Sequence, residues 1–201
     1  MKSDVKKGTL CAICSALVFG LTPVLASITF DMGSNALTLT FYRNTMAVPV
    51  LLVMLLVRKI DLRINRRELV TLAAISVAFS APTTYILYAA YDYIGVGLST
   101  TLHFLYPMFT VLFAWMLFKQ KPDKVKIIAL ILATSGVALA TGNSDSFALS
   151  GIILAVASAV TYAGYLLGIE QTSVHKMDSM KAMFYMCIFC GMTVSLFDLP
   201  S

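Results

Sequence analysis

Charge is scarce in this chain. Its 201 residues include 15 Lys or Arg and 10 Asp or Glu, 12% charged in all, where a soluble domain carries about 25%. Hydrophobic residues make up 59%, which excludes a water-soluble fold on composition alone. Catalytic signatures are missing too. There is no H-E-x-x-H, no pair of aspartates inside an apolar run, and no Ser/His pair at a suggestive spacing. No catalytic residue, cofactor or enzyme activity is therefore assigned. Cysteines number four, as Cys11-Ala-Ile-Cys14 and Cys187-Ile-Phe-Cys190. A C-x-x-C pair in a soluble chain suggests zinc. Both pairs here lie inside apolar runs, at different depths and with no loop to bend around an ion. They read as small apolar packing residues, and no metal is expected.

What the chain does have is seven apolar runs, roughly 8–29, 35–57, 68–91, 95–118, 124–141, 150–170 and 179–197. Each is long enough to cross ~30 Å of hydrocarbon as a helix. The fold class is thus all-α, a polytopic membrane helix bundle. Fourteen of the fifteen cations fall in alternate connections: Lys2, Lys6 and Lys7; Arg58, Lys59, Arg63, Arg66 and Arg67; Lys119, Lys121, Lys124 and Lys126; Lys176 and Lys181. The other connections offer only Asp31, Asp92, Asp145 and Asp198. Cationic loops stay inside, so a cytoplasmic N-terminus in the plasma membrane is expected. The net charge of +5 is then a topology signal and a match to anionic lipid, not to nucleic acid. The first run resembles a signal peptide, with Lys6-Lys7 before it and Val24-Leu25-Ala26 at its end. It is long for one, and its removal would invert the orientation the later loops demand.

An internal repeat runs at an offset of 143. Gly8, Ala12, Ser15 and Ala16 recur as Gly151, Ala155, Ser158 and Ala159, and Phe19 falls on Tyr162. The same offset lays Phe41-Tyr42 on Phe184-Tyr185. It spans five helices, an odd number, so the second copy enters the membrane inverted, as in secondary transporters. Two units follow: 1–143, a first five-helix repeat, and 144–201, the first two helices of an inverted second one. That gives seven spans of an expected ten, so a chain that stops early and a parent of roughly 290 residues are expected, as for other inverted-repeat transporters.

Three stretches carry a resemblance to the EamA family of the drug/metabolite transporter superfamily: Leu39-Thr-Phe41-Tyr-Arg43-Asn-Thr-Met-Ala47; Ala89 to Ser99 running into Leu105-Tyr-Pro107-Met-Phe-Thr110; and Ala129-Leu-Ile-Leu-Ala-Thr-Ser-Gly136-Val-Ala-Leu. The family's Gly-Glu after its fourth helix is replaced here by Phe118-Lys-Gln-Lys121-Pro-Asp. The resemblance implies two inverted five-helix halves, a central cavity, and import or export of a small metabolite, without fixing which; an amino acid or related compound is the expectation.

Arg43 is the one cation inside a span, about 12 Å deep. No Asp or Glu sits at that depth in any span. A buried arginine needs a cavity or a partner, so it is either a substrate clamp or a tie to a neighbouring helix. His103 lies at the same depth. It either carries a coupling proton or rests neutral on a hydroxyl such as Thr100. Tyr85, Tyr106 and Tyr162, with Phe19, complete the expected cavity wall, because a phenol in hydrocarbon needs a partner. Pro23, Pro49, Pro82 and Pro107 are candidate hinges, or static bends. Gly164-Tyr-Leu-Leu-Gly168 reads as a seam of close packing inside the protein.

A secondary transporter working by alternating access on a small-molecule substrate is the reading these features favour. A small-multidrug-resistance-like exporter would want a carboxylate in the first span, which has none. A non-transporting seven-helix protein leaves the repeat unexplained. Oligomeric state has no signal in the sequence.

Overall fold

The computed structural model describes residues 2–120, 122–141 and 148–197. Within those helices the side chains of residues 2–7, 12, 19, 124–126, 129, 133, 137, 138, 140, 141 and 197 lie outside the description. Phe19 is therefore placed by its backbone only. The helices are α1 (Lys2–Asp31), α2 (Ala36–Val57), α3 (Arg66–Ile75), α4 (Ala81–His103), α5 (Tyr106–Phe118), α6 (Lys124–Thr141), α7 (Leu149–Glu170) and α8 (Ser179–Phe197). A π-helical turn, Ser76–Ser80, joins α3 to α4, and a short 3-10 turn, Ser173–Lys176, precedes α8.

The starts of two helices are written in sequence. The Asn35 side chain accepts the Thr38 amide at 2.7 Å and caps α2. Asn65 and Glu68 form a reciprocal capping box at the head of α3. Five helical stretches among the described residues are long and apolar enough to cross a membrane. Many large apolar side chains on them point outward, among them Leu17, Leu21, Val53 and Ile153. An apolar outer face with small residues inside is how helices pack in lipid. The chain is a multi-pass helical membrane bundle.

One of the five stretches, Arg66–His103, has 38 residues and would be about 57 Å long if straight. It is not straight. Gly95 sits at φ 72°, ψ 166°, outside the helical region, and the chain reverses there. The register on α7 shows the reversal. Ile94 lies against Gly151, Phe79 against Gly164 and Ile75 against Gly168, so the leg before Gly95 runs antiparallel to α7. Beyond Gly95, His103 meets Ser158 and Tyr106 meets Tyr162, so the second leg runs parallel to it. The third and fourth expected spans are these two legs. Their junction differs from expectation. Asp92 and Tyr93 remain helical, and glycine, free to take positive φ, makes the turn.

The fourth span is also broken. Phe104 and Leu105 leave the helix between α4 and α5. Pro107 has no amide to bond the His103 carbonyl, so it opens α5 instead of bending a continuous helix.

At one end of the bundle Tyr185 donates to the Leu62 carbonyl at 2.6 Å and the Lys181 ammonium donates to the Arg63 carbonyl. The two basic connections therefore sit together. Beneath them Leu72, Ile75, Val174, Ala182 and Met186 form a buried cluster. At the opposite end Ala26, Ala36, Tyr88 and Tyr91 form another. α1 reaches the rest mainly there, where Phe30 meets Tyr88 and Tyr91 edge-on.

Candidate functional site

Between α2, the π turn with α4, α7 and α8 lies a cavity of about 620 Å³. Its walls differ in chemistry. α2 gives Arg43, Asn44 and Ala47, and the π turn with α4 gives Ser80, Thr83 and Thr84. α7 gives Tyr162 and Tyr165, and α8 gives Met183, Met186, Cys187 and Cys190. No Asp or Glu is among these lining residues.

Arg43 Nη1 donates to Tyr88 Oη at 2.7 Å. That is the one hydrogen bond the guanidinium makes among the described residues. The group has five N–H donors and is exposed on the cavity it lines. Tyr88 is itself 2% exposed and held by Phe30 and Tyr91. The phenol thus fixes one edge of the fork and leaves the rest open.

The other polar side chains around the cavity are mostly satisfied. Asn44 Nδ2 donates to the Thr40 carbonyl at 2.8 Å. Thr83 donates to Thr161 at 2.7 Å. Cys190 donates to Ser80 at 3.3 Å. The π turn places Ser80 here. Its wide register, with the Ala81 amide bonding the Ser76 carbonyl, comes immediately before Pro82, which lacks an amide to continue an α ladder. Among the described residues the buried Ser76 hydroxyl has no nitrogen or oxygen hydrogen-bond partner.

His103 stands behind this cavity. Its Nδ1 lies 2.9 Å from Ser158 Oγ, and that hydroxyl donates to the Ala155 carbonyl at 2.6 Å. A hydroxyl has one proton, so the geometry fits His103 Nδ1–H as donor and Nε2 as the unprotonated nitrogen. The anticipated Thr100 partner is engaged elsewhere, 3.3 Å from Tyr91 Oη. The His103 ring packs 5.2 Å from Tyr162 and 5.8 Å from Tyr106. Tyr106 meets Tyr162 edge-on at 4.7 Å, and Tyr162 stacks on Tyr165 at 5.4 Å.

The residues expected to share one wall are therefore split. Arg43 and Tyr162 line the cavity. His103 and Tyr106 support Tyr162 from behind. Tyr85 faces a separate apolar hollow with Pro82, Leu37 and Val194. Pro49 lies in a third, on the α2–α8 seam with Ile188 and Gly191. Pro23 lies within α1. Sequence reasoning passed over Tyr88, Tyr165, Ser158 and the α8 sulfurs. Spacing held a signal for some of them: Tyr88 and Tyr165 lie one turn from Tyr85 and Tyr162. Positions 183, 186, 187 and 190 form an i, i+3, i+4, i+7 stripe.

The class is a multi-pass helical membrane protein with a cavity of mixed lining, in which Arg43 is the one cation among the described residues. Residues 6–142 match the EamA-like transporter family, and the chain belongs to that family. It is also similar to an uncharacterized transporter of Synechocystis sp., 34% identical over 91 residues. That alignment covers 43% of this chain and 28% of the relative, so the chain spans well under two thirds of that protein. No solved structure matches.

Proposed function

We propose that the chain forms the substrate-binding part of a secondary transporter that moves a small carboxylate-bearing metabolite, such as an amino acid or a related compound, across the plasma membrane by alternating access. The carrying observation is Arg43, an intramembrane cation open to a 620 Å³ cavity with, among the described residues, a single phenol as its protein partner. Leaving a guanidinium so poorly paired at membrane depth is costly, and an anionic ligand relieves the cost.

The internal repeat supports the same reading. At the offset of 143, Arg43, Asn44 and Ala47 correspond to Met186, Cys187 and Cys190, and all six residues line the cavity. α2 and α8 also run antiparallel, since Leu37 and Phe41 pack by Val194 and Cys190 while Leu51 shares a wall with Met183. A cavity on the axis relating two inverted units is where such transporters bind substrate. In this reading His103 holds Tyr162 in place, and its free Nε2 is the station for a coupling proton.

The test is uptake and efflux of labelled amino acids and related carboxylates in membrane vesicles. Wild type, Arg43→Lys and His103→Gln would be compared at equal abundance. Arg43→Lys keeps the charge and loses the planar fork, so it should cut transport at least ~tenfold, the scale of one charge-assisted hydrogen bond. Unchanged transport in both variants would reduce the two residues to scaffolding.

A further inference from the structure

Cys190 packs in a buried cluster with Ala81 and Val194, and the Cys187-x-x-Cys190 pair also borders the cavity. With Met183 and Met186 it forms a stripe of four sulfur side chains along one face of α8, and all four line the cavity. The stripe faces a cavity whose α2 and α4 residues are of another kind: Arg43, Asn44, Ser80, Thr83 and Thr84. The repeat sharpens this asymmetry. Arg43 and Asn44 have Met186 and Cys187 as their counterparts, so one half of the pseudo-symmetric site is cationic and hydrogen-bonding, the other soft and apolar. Tyr162 and Tyr165 extend the soft side.

We infer that the substrate is an amphipathic organic monoanion, held by its carboxylate at Arg43 and by an uncharged aliphatic or thioether body against Met183, Met186 and Cys187. The inference rests on the carboxylate clamp proposed above and goes beyond it in two respects. First, among the described residues the lining contains a cation and no carboxylate. An ammonium on the substrate would meet no counter-charge and would stand a few ångströms from the guanidinium. A 2-oxo or 2-hydroxy acid therefore fits better than the amino acid of the same skeleton, and a primary amine is rejected. Second, methionine side chains are flexible and polarisable and mould to irregular apolar shapes. The α8 wall thus selects for a body of some length without fixing its branching.

Four probes separate these terms: 4-methyl-2-oxopentanoate, leucine, 3-methylbutylamine and acetate. Their binding to the full chain in lipid nanodiscs would be measured by calorimetry. The oxo acid should bind about tenfold tighter than leucine, by the repulsion between like charges, and the amine should not bind. Acetate should bind at least ~tenfold more weakly than the oxo acid, since each buried methylene is worth roughly fourfold. The double variant Met186→Gln, Cys187→Asn should weaken the oxo acid far more than acetate. Arg43→Gln should remove binding of every carboxylate. If leucine and the oxo acid bind equally, or the α8 variant weakens both anions alike, while Arg43→Gln still abolishes binding, the substrate class is wrong and the clamp stands. Carboxylate binding that survives Arg43→Gln overturns the clamp and this inference with it. Failure of all four probes to bind at millimolar concentration also overturns the inference.

Discussion

Two tyrosines one helical turn apart, Tyr85 and Tyr88, have opposite fates. Tyr85 is 44% exposed and Tyr88 is 2% exposed. The phenol of Tyr88 accepts from Arg43. Its ring sits among Phe30 and Tyr91, so the hydrogen bond is made by a group that cannot swing away. Tyr88→Phe removes the acceptor and leaves the guanidinium without a hydrogen-bond partner among the described residues. The cost should be about 1–3 kcal/mol, the usual penalty for stranding a polar group. Tyr85→Phe should stay within about 0.5 kcal/mol, because an exposed hydroxyl strands nothing. Thermal unfolding of the two variants in detergent reads the contrast directly. Equal shifts would mean that Tyr88 acts through its ring alone. Depth along a helix had singled out Arg43 from sequence. Rotation about the helix axis is what chose Tyr88 over Tyr85, and that depends on which neighbours α4 meets.

At the scale of the element, α7 is the part most determined by small residues. Ala155, Ser158, Ala159 and Ala163 are all fully buried, and Gly151, Gly164 and Gly168 meet Ile94, Phe79 and Ile75. The G-x-x-x-G spacing announced this seam, and the structure puts it inside the protein. A Cβ at Gly151 would lie 2.6 Å from Tyr93 Cβ and 2.7 Å from Ile94 Cγ2. Neither atom is at the free end of a flexible chain, so the helices themselves must part. Gly151→Ala should destabilise by about 1–3 kcal/mol, as overpacking does. Gly97→Ala, in a helix with nothing within 4 Å of the added atom, should be neutral or stabilise by up to ~1 kcal/mol. The same substitution thus has opposite signs at two sites, and unfolding midpoints check both. The prolines were harder to read. Pro82 and Pro107 both stand at helix starts, whereas Pro23 and Pro49 lie inside helices. Composition marks a proline as a disturbance, but whether the chain answers with a π turn, a break or a bend depends on which carbonyls find other partners.

For the whole molecule, the apolar runs and the alternation of basic connections carried the fold. Hydrophobic length is a local property and survives any rearrangement of the bundle. The cavity was less legible, because it is a property of how four elements meet. Arg43 and Tyr162 are expected on a cavity wall from depth and repeat and do line a cavity, while Cys187 and Cys190 read as packing in the sequence and Met183 and Met186 are not singled out there. The packing of basic connections fixes the last expectation. Arg58–Arg67 and Lys176–Lys181 are joined through Tyr185 and Leu62 at one end, and the Asp31–Asn35 connection lies by Tyr88 and Tyr91 at the other. If cationic loops are retained inside, Asn65 is expected to face the cytoplasm and Ser34 the outside. In a background lacking Cys11, Cys14, Cys187 and Cys190, a cysteine at Ser34 should react with a membrane-impermeant maleimide added to intact cells. A cysteine at Asn65 should react only after the membrane is opened. Labelling of Asn65→Cys alone in intact cells would invert the protein while keeping its span count. Labelling of both from outside would place two connections at one surface that the helix α2 between them, 22 residues long, has room to separate by about 33 Å, and would overturn the transmembrane assignment of that helix.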